Sequence, residues 1–335
     1  MAIYYIGAFP PSYGGVTVKN QNLYEALPGH LKVRRIDMNR VKRGDVREIL
    51  RFGWAMVTGK QYIIGLAGQK NRRQFTKLLH RFRRRAMERS VLLVMGGLVD
   101  DMIDAGAGFL EILLRYRRVY VELSDMVLKL NGAGVTNVAL YRNGRPRPPA
   151  LEQIRLDRGP LQCVFFSQIA PEKGVDRILE SAKQLEGIQF DFYGRVIPAY
   201  QERFLREIEV LENVHYHGVF TGTSESVYRV LNQYDVLLLP TRCRTEGLPG
   251  ILIEAKIAGI PAVVSDINGN REIITDGTDG FVLDEDTADC LAEALCVLDR
   301  DRALLLDMKF ASRASAEGYY IDVCAKDVIR ALERG

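Results

Sequence analysis

Short apolar runs rich in β-branched and aromatic residues alternate with longer amphipathic stretches along the whole chain. This alternation restricts the fold more than any other feature. IYYIGAF (3–9), VLLVMGGL (91–98) and RVYVEL (118–123) read as strands in the first half. CVFFSQI (163–169), FDFYGR (190–195), VHYHGVF (214–220), VLLLP (236–240) and PAVVSD (261–266) do so in the second. Strands separated by helical patterns indicate parallel sheets assembled from βαβ units, hence an α/β protein. At 335 residues the chain has material for about two such domains. The sharpest break in composition is NGRPRPPALEQIRLDRGP, residues 143–160, where Pro, Gly and Arg crowd between two strand patterns. We read it as a linker between an N-terminal domain (1–150) and a C-terminal domain (151–315), followed by a terminal segment (316–335). In that segment YYIDVCAKDVIRALERG has apolar residues at helical spacing.

Charge is unevenly divided. Residues 1–150 carry 26 Lys/Arg and 11 Asp/Glu, a balance of +15, whereas the rest carry 20 and 31, a balance of −11. A basic half suits an anionic partner. Much of the charge lies in QKNRRQFTKLLHRFRRRAMER (69–89), where Phe75, Leu78, Leu79, Phe82 and Ala86 form an apolar stripe and basic residues cover the remainder. A core-packed helix with a solvated basic face and a helix lying on an anionic bilayer both satisfy this pattern. FGWAMV with YIIGL (52–66) adds Trp54 and aliphatics to either reading. Nucleic acid is disfavoured, because no fold signature of a nucleic-acid binder accompanies the basic run. No apolar run reaches the ~18 residues needed to cross a bilayer. MAIYYIGAF has neither a basic leader nor a small-residue cleavage site, so it is expected to be a first strand. Five scattered cysteines without CxxC spacing suit buried thiols of a cytoplasmic protein. His215 and His217 share a strand face, but no third residue has the spacing of a metal ligand.

The stretch LLLPTRCRTEGLPGILIEAKIAGIPAVVSD (237–266) carries the chemistry. A strand ends at Pro240, a loop follows, and a helix is expected from near Pro249 to Gly259, with Pro at its start and Gly at its stop. Glu246 in the loop and Glu254 in the helix are separated by seven residues, so two carboxylates can hold hydroxyls at two places along one ligand. The unpaired amides at the helix start form an anion site between them. Ligands of open α/β sheets bind at the carboxyl ends of the strands, where this loop lies.

Glu246-x7-Glu254 with AKIAGIPAVVSD and GNREIITDGTDGFV resembles the signature of the retaining glycosyltransferases of the GT-B fold, family four, the group 1 glycosyl transferases. SQIAPEKGVDRILES (167–181), PPSYGGVTVKN (10–20) and VALYRNGRP (138–146) resemble further segments of the family, densely in the second half and sparsely in the first. The resemblance implies two Rossmann-like doubly wound domains facing a central cleft. It implies transfer of a sugar from a UDP- or GDP-sugar to a saccharide acceptor, lipid-linked at the cytoplasmic face of a membrane, in surface polysaccharide or glycoconjugate synthesis. Glu254 would hold the ribose, Glu246 the donor sugar with the Gly247 and Leu248 amides nearby, and Lys173 the leaving diphosphate, assisted by the backbone of Gly14 and Gly15. The family's diphosphate-binding arginine falls at Gln168, with Arg242 and Arg244 as the nearest substitutes. The strand VLLVMGGLVDD lacks the histidine that many members carry, leaving Asp100 and Asp101 on the acceptor side. Without a placed nucleophile, front-face departure and attack is expected, the leaving phosphate taking the acceptor proton. No DxD pair is present to hold a metal, so no cofactor is expected. A sugar-nucleotide epimerase of the same fold and a degenerate nucleotide-sugar-binding subunit are the alternatives. The terminal helix is expected to pack back on the N-terminal domain.

Overall fold

The computed structural model describes residues 2–11, 14–96, 99–156, 159–243 and 247–334, the side chain of Ser224 excepted. The chain divides into two compact units. The first comprises residues 1–147, 245–248 and 319–335, and the second residues 148–244 and 249–318.

In the first unit six strands pair in parallel: β1 (Ile3–Gly7), β2 (Val33–Asp37), β3 (Gln61–Gly65), β4 (Val91–Leu93), β5 (Arg118–Val121) and β6 (Val138–Leu140). Their spatial order is β2-β1-β3-β4-β5-β6. The order reverses at β1, so the crevice between the carboxyl ends of β1 and β3 is this sheet's topological switch point. Asn20, fully buried, closes the base of that crevice. Its amide donates to the carbonyls of Ala8 and Gly65, both at 2.9 Å, and its oxygen accepts from the Tyr5 hydroxyl at 2.9 Å. A methyl group on Gly65 would stand 2.1 Å from that oxygen, so the close approach requires glycine. The terminal segment completes this core: Ile321, Ala325, Val328 and Leu332 pack among Ile3, Tyr5, Phe9 and Val91.

The second unit repeats the plan with β7 (Gln162–Phe166), β8 (Gln189–Tyr193), β9 (Val214–Tyr216), β10 (Val236–Leu239), β11 (Ala262–Ser265) and β12 (Gly280–Leu283). The order is β12-β11-β10-β7-β8-β9, all parallel, and the switch point lies between β7 and β10. The α/β class and doubly wound sheets read from the sequence are those of the structure.

Two local readings change. Residues 69–89 form not one helix but Gln69–Phe82 and Arg84–Met87, interrupted at Arg83 with φ −136° and ψ 36°. There the Arg83 guanidinium turns aside to the Gly59 carbonyl. Of the expected stripe, Phe75, Leu79 and Ala86 are buried, but Leu78 and Phe82 face solvent. The stretch 52–66 also splits: Tyr62, Ile63 and Ile64 are core residues of β3, while Trp54 is 64% exposed.

Candidate functional site

In the second unit the loops that leave β7 and β10 flank the switch point. After β7 the chain passes exposed Gln168 and a single 3-10 turn, Pro171–Lys173, which ends at Gly174 with φ +79°. A Cβ on Gly174 would fall 1.9 Å from the Pro240 carbonyl oxygen. The left-handed turn and the absent side chain together press this segment against the end of β10. Lys173 is thereby held beside the second loop, 9% exposed.

After β10 the helix Gly250–Ala258 begins at Pro249 with no side-chain cap and no acidic residue in its first turn. It stops at Gly259 with φ +75°, as its Pro and Gly punctuation requires. The amides of its first turn therefore keep the positive end of the helix dipole unneutralised by any side chain of that turn. Glu254, half-buried, sits one turn further along. Behind it the helix is anchored by Lys256, whose ammonium is buried against the Asp279 carboxylate and donates to Ser315 Oγ at 2.7 Å. Burial pulls the Lys256 pKa down, and Asp279 opposes the shift.

Glu246 and Arg244 lie outside the described residues. Arg242 is engaged: its amide donates to the Glu172 carbonyl at 2.7 Å and its guanidinium to Asp286 at 2.8 Å. The same carboxylate pairs with Arg177 at 2.8 Å. Arg242 thus borders the Lys173 turn and is tied to Asp286.

Within the first unit, Gly247 and Leu248 meet the ends of β4 and β5. The Leu248 carbonyl accepts from the Asn143 amide at 3.2 Å. A Cβ on Gly247 would lie 2.3 Å from a Glu122 carboxylate oxygen and 2.8 Å from Gly96 Cα. Glu122 is buried in an ion pair with Lys19 and accepts from the Gly96 amide at 3.0 Å. Sequence reading missed this pair, since two charged residues 103 positions apart give no local pattern. Gly14 and Gly15 open the helix Gly15–Ala26 after β1, and a Cβ on either would meet nothing within 4 Å. The Gly14 amide is already used, donating to Thr17 Oγ1 at 2.9 Å.

Asp100 and Asp101 begin the short helix Asp100–Ile103. Asp100 faces Lys129 at 3.7 Å, whereas Asp101 lines a cavity of about 460 Å³ beside the helix Gln69–Phe82. Arg72 lines the same cavity and was not singled out in the sequence. Its position three residues before Phe75, on the apolar stripe, was the available signal. His215 bonds Gln189 at 3.1 Å, and His217 pairs with Asp191 while stacking on Tyr193. Among the described residues no three His, Cys, Asp or Glu side chains are grouped so as to hold a metal ion, and no helix is long and apolar enough to cross a membrane.

Residues 160–301 match the model of the family "Glycosyl transferases group 1". A putative colanic acid biosynthesis glycosyltransferase, WcaL of Salmonella typhimurium, is 31% identical over 149 residues, which is 42% of this chain and 36% of that protein. The Escherichia coli UDP-Gal:alpha-D-GlcNAc-diphosphoundecaprenol alpha-1,3-galactosyltransferase is 30% identical over 100 residues, 30% of this chain and 25% of its own length. The chain thus spans well under half of each of these two relatives. Among solved structures, Anabaena HepE in complex with UDP superposes with a TM-score of 0.73 at 13% identity, covering 100% of both chains. The sucrose-phosphate synthase of Thermosynechococcus elongatus gives 0.75 at 14%, covering 100% of this chain and 99% of that one. Over residues 160–301 the chain is similar to the group 1 glycosyl transferases, and its two doubly wound sheets are those of the GT-B fold.

Proposed function

We propose that this protein transfers a sugar from a nucleoside diphosphate donor, with retention at the anomeric carbon, to a lipid-linked saccharide during surface polysaccharide synthesis. The observation that carries the proposal is that, at the switch point of the second sheet, the Lys173–Gly174 turn is pressed on the end of β10 and the loop leaving that same strand leads into the uncapped start of the Gly250–Ala258 helix. One supplies a cation and the other the positive end of a helix without a side-chain cap, as a leaving diphosphate demands. Glu254 then takes the ribose hydroxyls and Glu246 the donor sugar. No step is assigned to a metal or to a protein nucleophile: the departing phosphate accepts the proton of the incoming hydroxyl on the face it leaves.

Two similarities support the donor and acceptor classes. By their names, the galactosyltransferase above uses UDP-Gal with a diphosphoundecaprenol-linked GlcNAc. A Mycobacterium tuberculosis relative, 27% identical over 54% of this chain, is a GDP-mannose-dependent phosphatidylinositol monomannoside mannosyltransferase.

A membrane setting is supported by the helix Val46–Thr58, which has its polarity reversed. Glu48 is buried, accepting from the Asp37 amide at 2.8 Å. Val46, Leu50, Trp54 and Val57, at i, i+4, i+8 and i+11, are all exposed. Arg47, Arg51, Lys42, Arg43 and Lys60 are exposed around them. An apolar face with Trp and a basic margin suits shallow insertion into an anionic bilayer. The exposed face favours attachment through the Val46–Thr58 helix over the stripe of 69–89, of whose five residues Phe75, Leu79 and Ala86 are core.

The donor assignment is tested by calorimetry. Glu254→Ala should weaken binding of the free nucleoside diphosphate, while Glu246→Ala should spare it and lower turnover of the sugar nucleotide. Equal loss in both variants removes Glu246 from the sugar pocket. Unchanged nucleotide affinity in Glu254→Ala removes the ribose assignment.

A further inference from the structure

Arg72 is an anomaly of the first unit. It projects from the first turns of the helix Gln69–Phe82 and is only 1% exposed, yet its Nε, Nη1 and Nη2 have no hydrogen-bond partner among the described residues. A guanidinium removed from water without a partner is strongly disfavoured. Burial lowers its pKa to about 10, against the attraction of Glu122 and Asp101, so the group remains cationic near neutrality. Among the described residues no carboxylate lies close enough to bond it.

The surroundings are those of an anion site. Arg72 lines the 460 Å³ cavity together with Lys70, Arg73, Lys77, Asp101 and Phe109. Arg73 is steadied over the Phe109 ring at 5.8 Å. Counting Asp104, four basic and two acidic side chains line it, a balance of +2. The helix start at Gly68 has no side-chain cap, so its first-turn amides add a second, backbone source of positive potential. On the other side of the same two turns opens a cavity of about 360 Å³ lined by Leu66, Ala67, Asn71, Gln74, Phe75 and Leu78. Gln74 lines both cavities. A basic recess and a mainly apolar one, meeting at one side chain, match a ligand with a phosphate head and a hydrocarbon tail.

We propose that Arg72 binds the phosphate of the lipid-linked acceptor, with Lys70 and Lys77 at the rim and the adjoining apolar cavity receiving the first part of the lipid. The fork of a guanidinium takes two phosphate oxygens at once, and the ligand supplies the partners that the fold omits. This inference rests on the reading that the acceptor is lipid-linked, but its test requires no sugar transfer.

Inorganic pyrophosphate and geranyl diphosphate are titrated by calorimetry into the full chain carrying Lys173→Ala, which disables the diphosphate position in the second unit. Both probes should bind, geranyl diphosphate the more tightly. Adding Arg72→Met should raise both dissociation constants at least tenfold without lowering the melting temperature, because the methionine removes an unpaired buried charge. Unchanged constants overturn the proposal. Should Arg72→Met not fold, Lys70→Ala/Lys77→Ala, confined to exposed positions, should weaken both probes at least threefold, and no change overturns the proposal equally. Leu78→Asp should weaken geranyl diphosphate alone. Equal binding of the two probes before that change would assign the site to free phosphate and overturn the lipid assignment. Intact Arg72-dependent binding in a chain that transfers no sugar would refute the transferase reading and leave this site standing.

Discussion

Replacing Gly174 with alanine probes the turn on which the proposed donor site depends. The residue has φ +79°, and its missing Cβ would stand 1.9 Å from the Pro240 carbonyl oxygen. A non-glycine residue in the left-handed region costs about 1–2 kcal/mol. A methyl forced against packed backbone costs a further ~1–3 kcal/mol. The sum is roughly 2–5 kcal/mol. Gly218 provides the control, because it lies in the same unit with φ +75° and a Cβ there would meet nothing within 4 Å. Gly218→Ala should therefore show the first contribution alone. Any gain from a stiffer unfolded chain is common to both and cancels in the comparison. Urea unfolding should place Gly174→Ala about 1–3 kcal/mol below Gly218→Ala. Calorimetry should also show weaker nucleoside diphosphate binding only in Gly174→Ala, because Lys173 moves with the turn. If the two variants unfold at the same urea concentration, the turn is not pressed on β10 and the argument for how Lys173 is positioned fails.

Other expectations follow from individual contacts. Glu254→Ala should lower nucleoside diphosphate affinity by roughly 1.5–3 kcal/mol, the contribution of a hydrogen bond to a charged group; calorimetry reads it directly. Lys256→Ala leaves Asp279 buried without its cation and should cost about 3–5 kcal/mol in urea unfolding, whereas Lys256→Met with Asp279→Leu should recover most of that. Burial raises the Cys324 thiol from 9.0 to about 11. The unfolded chain then loses this proton first, so stability falls as pH rises from about 9 to 11. Cys324→Ala should remove up to about 2–3 kcal/mol of that fall in pH-dependent unfolding, and a parallel pH profile would contradict the shift. Trp54→Glu with Leu50→Glu should abolish sedimentation with anionic vesicles, while Arg83→Glu/Arg84→Glu/Arg85→Glu should only weaken it. The reverse ranking would return attachment to residues 69–89.

What could be read from residues alone follows from how locally each feature is encoded. The helix Gly250–Ala258 was legible because Pro249 and Gly259 punctuate it. Strand β2 was not: in VRRID, Arg34 and Arg35 are exposed at the sheet edge, which removes the apolar run. The break at Arg83 depends on the Gly59 carbonyl, a partner from another segment. On the Val46–Thr58 helix the apolar period was present, but period does not say which face a neighbour covers. Only the fold shows Glu48 inside and Trp54 outside. Arg72 and the Lys19–Glu122 pair were hidden for a related reason: composition places charged residues at the surface, and tertiary packing overrode that preference.

Sugar transfer itself is tested by incubating the protein with radiolabelled UDP- and GDP-sugars and a prenyl-diphosphate-linked saccharide, then measuring label in the lipid phase and nucleoside diphosphate in the aqueous phase. The proposed function predicts that one donor passes its label to the lipid with equimolar release of nucleoside diphosphate. That release should occur only when the acceptor is present and should be lost in Glu246→Ala and Lys173→Ala. A donor that binds but is never consumed, or is converted equally well without acceptor, would contradict it.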